Sequence, residues 1–110
     1  MEIDTKEKNE IRILSVQGSI DADTASEFDQ SLEKHISTGR DKIILDLSRL
    51  EYISSAGLRV IMKAAKKMEI TGGEMAIVGL RGVVQEVFKV SGFYSLFNIY
   101  DSEEEAVLAT

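Results

Sequence analysis

Two serines stand side by side in Ile53-Ser54-Ser55-Ala56-Gly57-Leu58, directly ahead of a run with helical periodicity. A serine at a helix start accepts a hydrogen bond from an orphan amide, worth ~1 kcal/mol, so a plain capping role is open to either of them. One cap suffices, and no Glu or Gln follows three residues on to close a capping box, so the second hydroxyl is spare. Gly57 is expected to leave room for another molecule to approach this turn. A spare hydroxyl is a nucleophile if a base stands beside it, and the one histidine, His35, is the candidate base. No Gly-x-Ser-x-Gly elbow surrounds the serines, however. His35 also falls beside the apolar stripe of a helix, where a partly buried edge residue is the simpler reading. The remaining chemistry is acidic: Asp46 closes an aliphatic run, and Asp21 and Asp23 lie upstream of it.

These residues need elements to position them. Ile11 to Ser19 is aliphatic and reads as a strand, with Glu2 to Lys8 its edge partner across Asn9-Glu10. Thr24-Ala-Ser-Glu27 has the form of a capping box. Ala25, Phe28, Leu32 and Ile36 then recur at helical spacing until Gly39 stops the helix. Lys42 to Leu47 carries the continuous run Ile43-Ile44-Leu45, which suits a strand buried on both faces and predicts helices above and below it. A loop from Ser48 leads to a second helix over about Ser55 to Ile70, with Gly57, Ile61, Ala64, Ala65 and Met68 facing inward. Gly72-Gly73 breaks it. Met75 to Val78 is a short strand, about Arg81 to Val90 a third helix, and Phe97 to Tyr100 a short last strand. Ser102 to Glu105 opens a terminal helix with a second capping box. Strand–helix–strand units of this kind pair in parallel with right-handed crossovers, which predicts an α/β fold with a four- or five-stranded mixed sheet and about four helices.

In such sheets functional groups collect beyond the carboxyl ends of the strands, which selects Ser19 to Thr24 and Asp46 to Gly57. Composition limits what they do. The chain has 110 residues, enough for one domain, with 44% hydrophobic and 29% charged residues and a net charge of -6. An acidic balance argues against general nucleic-acid binding. No apolar run reaches the ~20 residues of a membrane helix, and Met1 to Lys8 lacks the apolar core of a secretory signal. The absence of cysteine fits a reducing cytoplasm, and a single histidine leaves no His-rich metal cage. No cofactor is called for.

The segment Asp46-Leu-Ser-Arg-Leu-Glu-Tyr-Ile-Ser-Ser-Ala-Gly-Leu-Arg-Val60 resembles the signature of the STAS domain, in particular that of the bacterial anti-sigma-factor antagonists. Gly18-Ser-Ile-Asp-Ala-Asp-Thr-Ala25 is similar to the family's segment before its first helix. Gly72-Gly73-Glu-Met and Val87-Phe-Lys-Val-Ser-Gly-Phe93 extend the likeness over nearly the whole chain. The resemblance implies a cytoplasmic, non-enzymatic switch. Unmodified, it binds an anti-sigma factor that is also a serine kinase and so frees a sigma factor. Phosphorylation ends the binding, and a PP2C-type serine phosphatase resets it. Carried over by position, the phosphorylated residue is Ser55. The chain departs from the pattern around it: the preceding Asp is Ser54, the following Ser or Thr is Ala56, and the later Gly is Arg59. Ser54 therefore stands as a second candidate acceptor.

The implied partner face comprises Asp21, Asp23, Ser54, Ser55, Ala56, Gly57, Leu58, Arg59 and Met62. Leu58 and Met62 are expected off the inward stripe, as an apolar contact or partly buried under a neighbouring loop. Asp21 and Asp23 suit capping and turn formation as well as partner contact. Arg59, Lys63, Lys66 and Lys67 read as a solvated helix face. Two alternatives stay open: a STAS module serving another signalling assembly, and a two-component receiver domain phosphorylated on Asp46 with Asp21 and Asp23 as its acidic pair. The receiver lacks its lysine after the last strand, where Asp101 stands.

Overall fold

The computed structural model describes residues 1–39 and 41–109. Strands β1 (Glu2–Lys8) and β2 (Ile11–Ile20) form a hairpin. Its turn places Asn9 and Glu10 both at positive φ, 53° and 68°, the backbone that matches the twist of tight hairpins. Helix α1 (Ala25–Ser37), strand β3 (Lys42–Ile53), helix α2 (Ser55–Ile70), strand β4 (Glu74–Val78) and helix α3 (Gly82–Val90) follow. A 3-10 turn (Phe93–Ser95), strand β5 (Asn98–Tyr100) and helix α4 (Glu103–Leu108) complete the chain. The result is an α/β fold on a five-stranded mixed sheet in the order β1-β2-β3-β4-β5, antiparallel only at the first pair.

That simple order decides where the helices go. Each parallel crossover steps one strand in the same direction, and right-handed crossovers then deposit every connecting helix on one face. Ala25, Phe28 and Leu32 of α1, Ile61, Ala64 and Met68 of α2, and Val84 and Phe88 of α3 pack there on Leu14, Val16, Ile43, Leu45, Leu47, Met75 and Ile77. Among the described residues the opposite face has only α4, whose Ala106 shares a buried cluster with Ile11, Ile13, Ile44, Ala76 and Val78. The expectation of helices on both sides of the third strand thus holds in an uneven form. The short α4 is fastened by a buried cation: Lys42 donates its ammonium to the Ala106 carbonyl (2.9 Å) and lies 3.3 Å from Glu74 Oε1. Ser102 caps this helix by accepting from the Glu105 N–H (3.2 Å), as its sequence predicts.

Two local expectations fail. The third strand does not end at Leu47 but continues to Ile53, with Gly18↔Leu50, Ser19↔Tyr52 and Ile20↔Ile53 in register. Register shifts between Ser15 and Gln17 and between Gly18 and Ser19 put Leu47, Leu50 and Ile53 inward at intervals of three. Bulges break the two-residue alternation by which a strand is recognised. Nor does Thr24 form a capping box with Glu27. It is the N-cap residue of α1 but makes no side-chain cap, because its hydroxyl is engaged upstream.

Candidate functional site at the carboxyl edge of the sheet

Three turns meet at the carboxyl ends of the parallel strands: β2–α1, β3–α2 and β4–α3. The first two are tied by the Ser54 N–H, which donates to the Ile20 carbonyl (2.8 Å). The third is tied to the β3 extension by Arg81, whose Nε–H donates to the Ser48 carbonyl (2.6 Å). Gly79 enables that approach. Its φ is +78°, and a Cβ there would lie 2.8 Å from the Ser48 Cβ. The extension of β3, not a free loop, therefore carries Tyr52, Ser54 and Ser55 to their positions.

At the start of α2 the two serines separate in role. Ser54 is the N-cap, with extended backbone (φ -89°, ψ 170°) and its Oγ accepting from the Gly57 N–H (3.3 Å). Ser55 opens the helix proper, is exposed, and its side chain makes no hydrogen bond among the described residues. Ala56 is half-buried and packs against the core, while Arg59 is exposed. Met62, seven residues on from Ser55 and so on its side of the helix, is half-buried.

Leu58 departs from expectation. Instead of offering an apolar contact beside Ser55 it is 7% exposed and belongs to the main core. It joins Ile20, Leu50 and Ile53 in the same buried cluster, the last two supplied by the longer β3. Gly57 departs as well. It is buried, and an added Cβ would lie 2.8 Å from both Ile20 Cγ2 and Ile53 Cγ1. The missing side chain lets α2 seat on the ends of β2 and β3, so no space is left there for a visitor.

Asp21 and Asp23 are exposed at the neighbouring turn. Asp21 Oδ1 accepts from the Asp23 and Thr24 N–H groups (both 2.9 Å), and the Asp21 N–H donates to Thr24 Oγ1 (2.9 Å). The Thr24 hydroxyl has the Ser19 carbonyl at 3.2 Å and Asp21 Oδ1 at 3.1 Å for its one proton. Thr24, through its N–H and its hydroxyl, holds the Asp21 carboxyl below its ordinary pKa. Asp21 thus serves the turn through its carboxylate, while Asp23 enters it only by its backbone N–H and has an exposed side chain.

The enzyme-like alternatives come apart geometrically. His35 is at the far end of α1, where Arg12 donates to its Nδ1 (2.8 Å) while also bridging Glu7. Burial, then the Arg12 charge, holds the imidazole pKa low. Arg12 is the second residue of β2 and Ser55 lies beyond the end of β3, so His35 and Ser55 stand at opposite ends of the strands. Asp46 pairs in register with Ser15, six residues before Asp21 and roughly 20 Å along the strand. It lies instead in a cavity of about 390 Å³ with Lys6 and Glu103, its carboxylate accepting from the Ser48 N–H (3.0 Å). Burial pushes its pKa up, but Glu103, Ser48 and Lys6 outweigh burial and keep it below the usual value. Among the described residues no group of three His, Cys, Asp or Glu is placed to hold a metal ion. No helix of the described residues is long and apolar enough to cross a membrane.

Sequence reasoning passed over Tyr52 and Arg81. The 45% exposure of Tyr52 beside the serines is unusual for so large a ring. Its signal was an aromatic placed just before a helix start, masked by the reading of that segment as loop.

The family model described as the STAS domain matches residues 2–106. Among relatives, BtrV of Bordetella bronchiseptica, whose name gives it provisionally as an anti-sigma factor antagonist, is 39% identical over 97 residues, covering 88% of this chain and 84% of BtrV. The anti-sigma F factor antagonist of Paenibacillus polymyxa is 27% identical over 108 residues, covering 97% of this chain and 92% of its own. A crystal structure from Thermotoga maritima, likewise titled provisionally as an anti-sigma factor antagonist, superposes with a TM-score of 0.91 at 27% identity, covering 97% of this chain and 92% of that one.

Proposed function

This chain belongs to the STAS domain family, and on that premise we propose that it is an anti-sigma factor antagonist, a non-catalytic binding module switched by phosphorylation of Ser55. Its relatives' names support the partner class: the Paenibacillus polymyxa protein is named for antagonising an anti-sigma factor. One observation carries the rest. Of two adjacent serines, Ser54 is committed to capping, while Ser55 is exposed with its hydroxyl uncommitted.

In the cycle proposed, the unmodified protein docks on an anti-sigma factor through the edge around Ser55, with Asp23, Arg59 and Met62 beside it, and the sigma factor is released. The anti-sigma factor, acting as a serine kinase in the cytoplasm, then transfers the γ-phosphoryl group of ATP. A bond forms between Ser55 Oγ and phosphorus, the bond to the ADP oxygen breaks, and the hydroxyl proton passes to a base of the kinase. A PP2C-type phosphatase hydrolyses the ester and restores the hydroxyl.

The phosphate adds ~1.5 to 2 negative charges at neutral pH. At the first turn of α2 it meets free amides and the positive end of the helix dipole, so the fold accommodates it. Inside an interface the same charge must shed water or face repulsion, on the order of several kcal/mol. At ~1.4 kcal/mol per tenfold, that is about a hundredfold or more in affinity.

Incubation with the cognate anti-sigma factor and ATP, followed by mass spectrometry, tests the acceptor. The expected product carries one acid-stable phosphate on Ser55, and Ser55→Ala abolishes it. An acid-labile phosphate on Asp46, or transfer to Ser54 in the unaltered chain, would overturn the assignment.

A further inference from the structure

Arg59, Lys63, Lys66 and Lys67 of α2 are all exposed, as their spacing suggests, but Lys63 and Lys67 are also paired with acids of α1. Lys63 Nζ lies 2.8 Å from Asp29 Oδ2, and Lys67 Nζ 2.6 Å from Glu33 Oε1, both rungs joining α1 and α2 across a sequence separation of 34. The same separation places Arg59, the next position toward the helix start, opposite Ala25, which is buried and has no charge to offer. The ladder runs out of acids one rung early. Arg59 is accordingly exposed, with no hydrogen bond or ion pair among the described residues.

Arg59 is four residues after Ser55 on the same helix. Residues at this spacing are surface neighbours. Helical side chains also lean toward the N-terminus, so the arginine covers the turn that bears Ser55. A guanidinium presents a planar fork of donors that fits phosphate oxygens in a bidentate manner.

We propose that Arg59 is the internal receiver of a phosphate on Ser55, folding back over the first turn of α2 to pair with it. The unmodified chain leaves the guanidinium outward on the proposed docking edge. The phosphorylated chain turns it inward, so modification both adds negative charge and withdraws a cation from the same surface. The proposal rests on the reading of Ser55 as the phosphoacceptor, and its test needs neither kinase nor partner.

The experiment uses the full chain with phosphoserine incorporated at residue 55 during translation, with Arg59 retained or as Arg59→Gln, and follows the second phosphate ionisation by phosphorus NMR. Asp21, Asp23 and Glu51 near the edge and the amides of α2 act on the phosphate in both chains, so the difference isolates Arg59. Arg59→Gln removes no hydrogen bond or ion pair among the described residues, and circular dichroism checks that both fold. The expected result is an acid dissociation constant about threefold larger with Arg59 at low salt, converging with the variant in 1 M NaCl. Superimposed titrations at low salt would overturn the proposal. Unchanged anti-sigma factor binding by the phosphoserine chain would instead sink the switch while leaving the titration difference standing.

Discussion

The starts of α1 and α2 lie side by side at the same edge of the sheet, and they handle their polar groups in opposite ways. At α1 the turn is self-contained. Asp21 and Thr24 bond each other and their own backbone, and an apparent capping box is given up to do so. At α2 the turn is satisfied by Ser54 alone, and Ser55 is left over. Two clusters of Ser, Thr and Asp that look alike in sequence thus divide into one that closes a turn and one that leaves a hydroxyl uncommitted. A polar residue becomes available for chemistry when its neighbours have already met the needs of the backbone.

Substitutions rank the two turns. The largest loss of stability is expected from Gly57→Ala, which drives a methyl group to 2.8 Å from two buried isoleucines. Overpacking costs ~1–3 kcal/mol and the gain in helix propensity returns up to ~1, so a net loss of about 1–2 kcal/mol should appear in urea unfolding. Ser54→Ala should cost ~1 kcal/mol through the lost cap, by the same measurement. An unchanged midpoint would mean that Ser54 is not the cap.

Asp21→Asn should have a smaller effect, since its hydrogen bonds are exposed, and that effect should depend on pH. The Asp21 pKa is lowered on folding, so its contribution is fully present above the ordinary carboxylate range and is lost as pH falls through the lowered folded value. Melting temperatures of the two proteins should differ at neutral pH and converge in acid, and a gap that persisted in acid would contradict the turn's dependence on the charge. Ser55→Ala should be smallest, within ~0.5 kcal/mol of the unaltered protein in urea. A loss as large as that of Ser54→Ala would erase the distinction between the serines.

Much of this was legible in the sequence. The element order, the span Ser55–Ile70 and the division of two serines into one cap and one spare group all follow from periodicity and capping rules. What was not legible came from contacts between distant segments. The bulges opposite Gln17 and Ser19 disguised the strand from Ser48 to Ile53 as a loop, and with it the burial of Leu58. Gly57 was read as an opening because the isoleucines that fill its space come from two other elements. The pairing of Lys63 and Lys67 with α1, which isolates Arg59, depends on how the two helices lie together, and neither helix encodes that alone.

The central claim is that Ser55 is a surface switch and not a structural one. Titration calorimetry of the cognate anti-sigma factor with the unmodified chain and the chain carrying phosphoserine at residue 55, with the melting temperature of each recorded alongside, tests it most directly. The account predicts a fall of about a hundredfold or more in affinity, with melting temperatures within about 4 °C, under ~1 kcal/mol for a domain this size. Equal affinities, or a loss of binding that comes with a collapse in melting temperature, would contradict it.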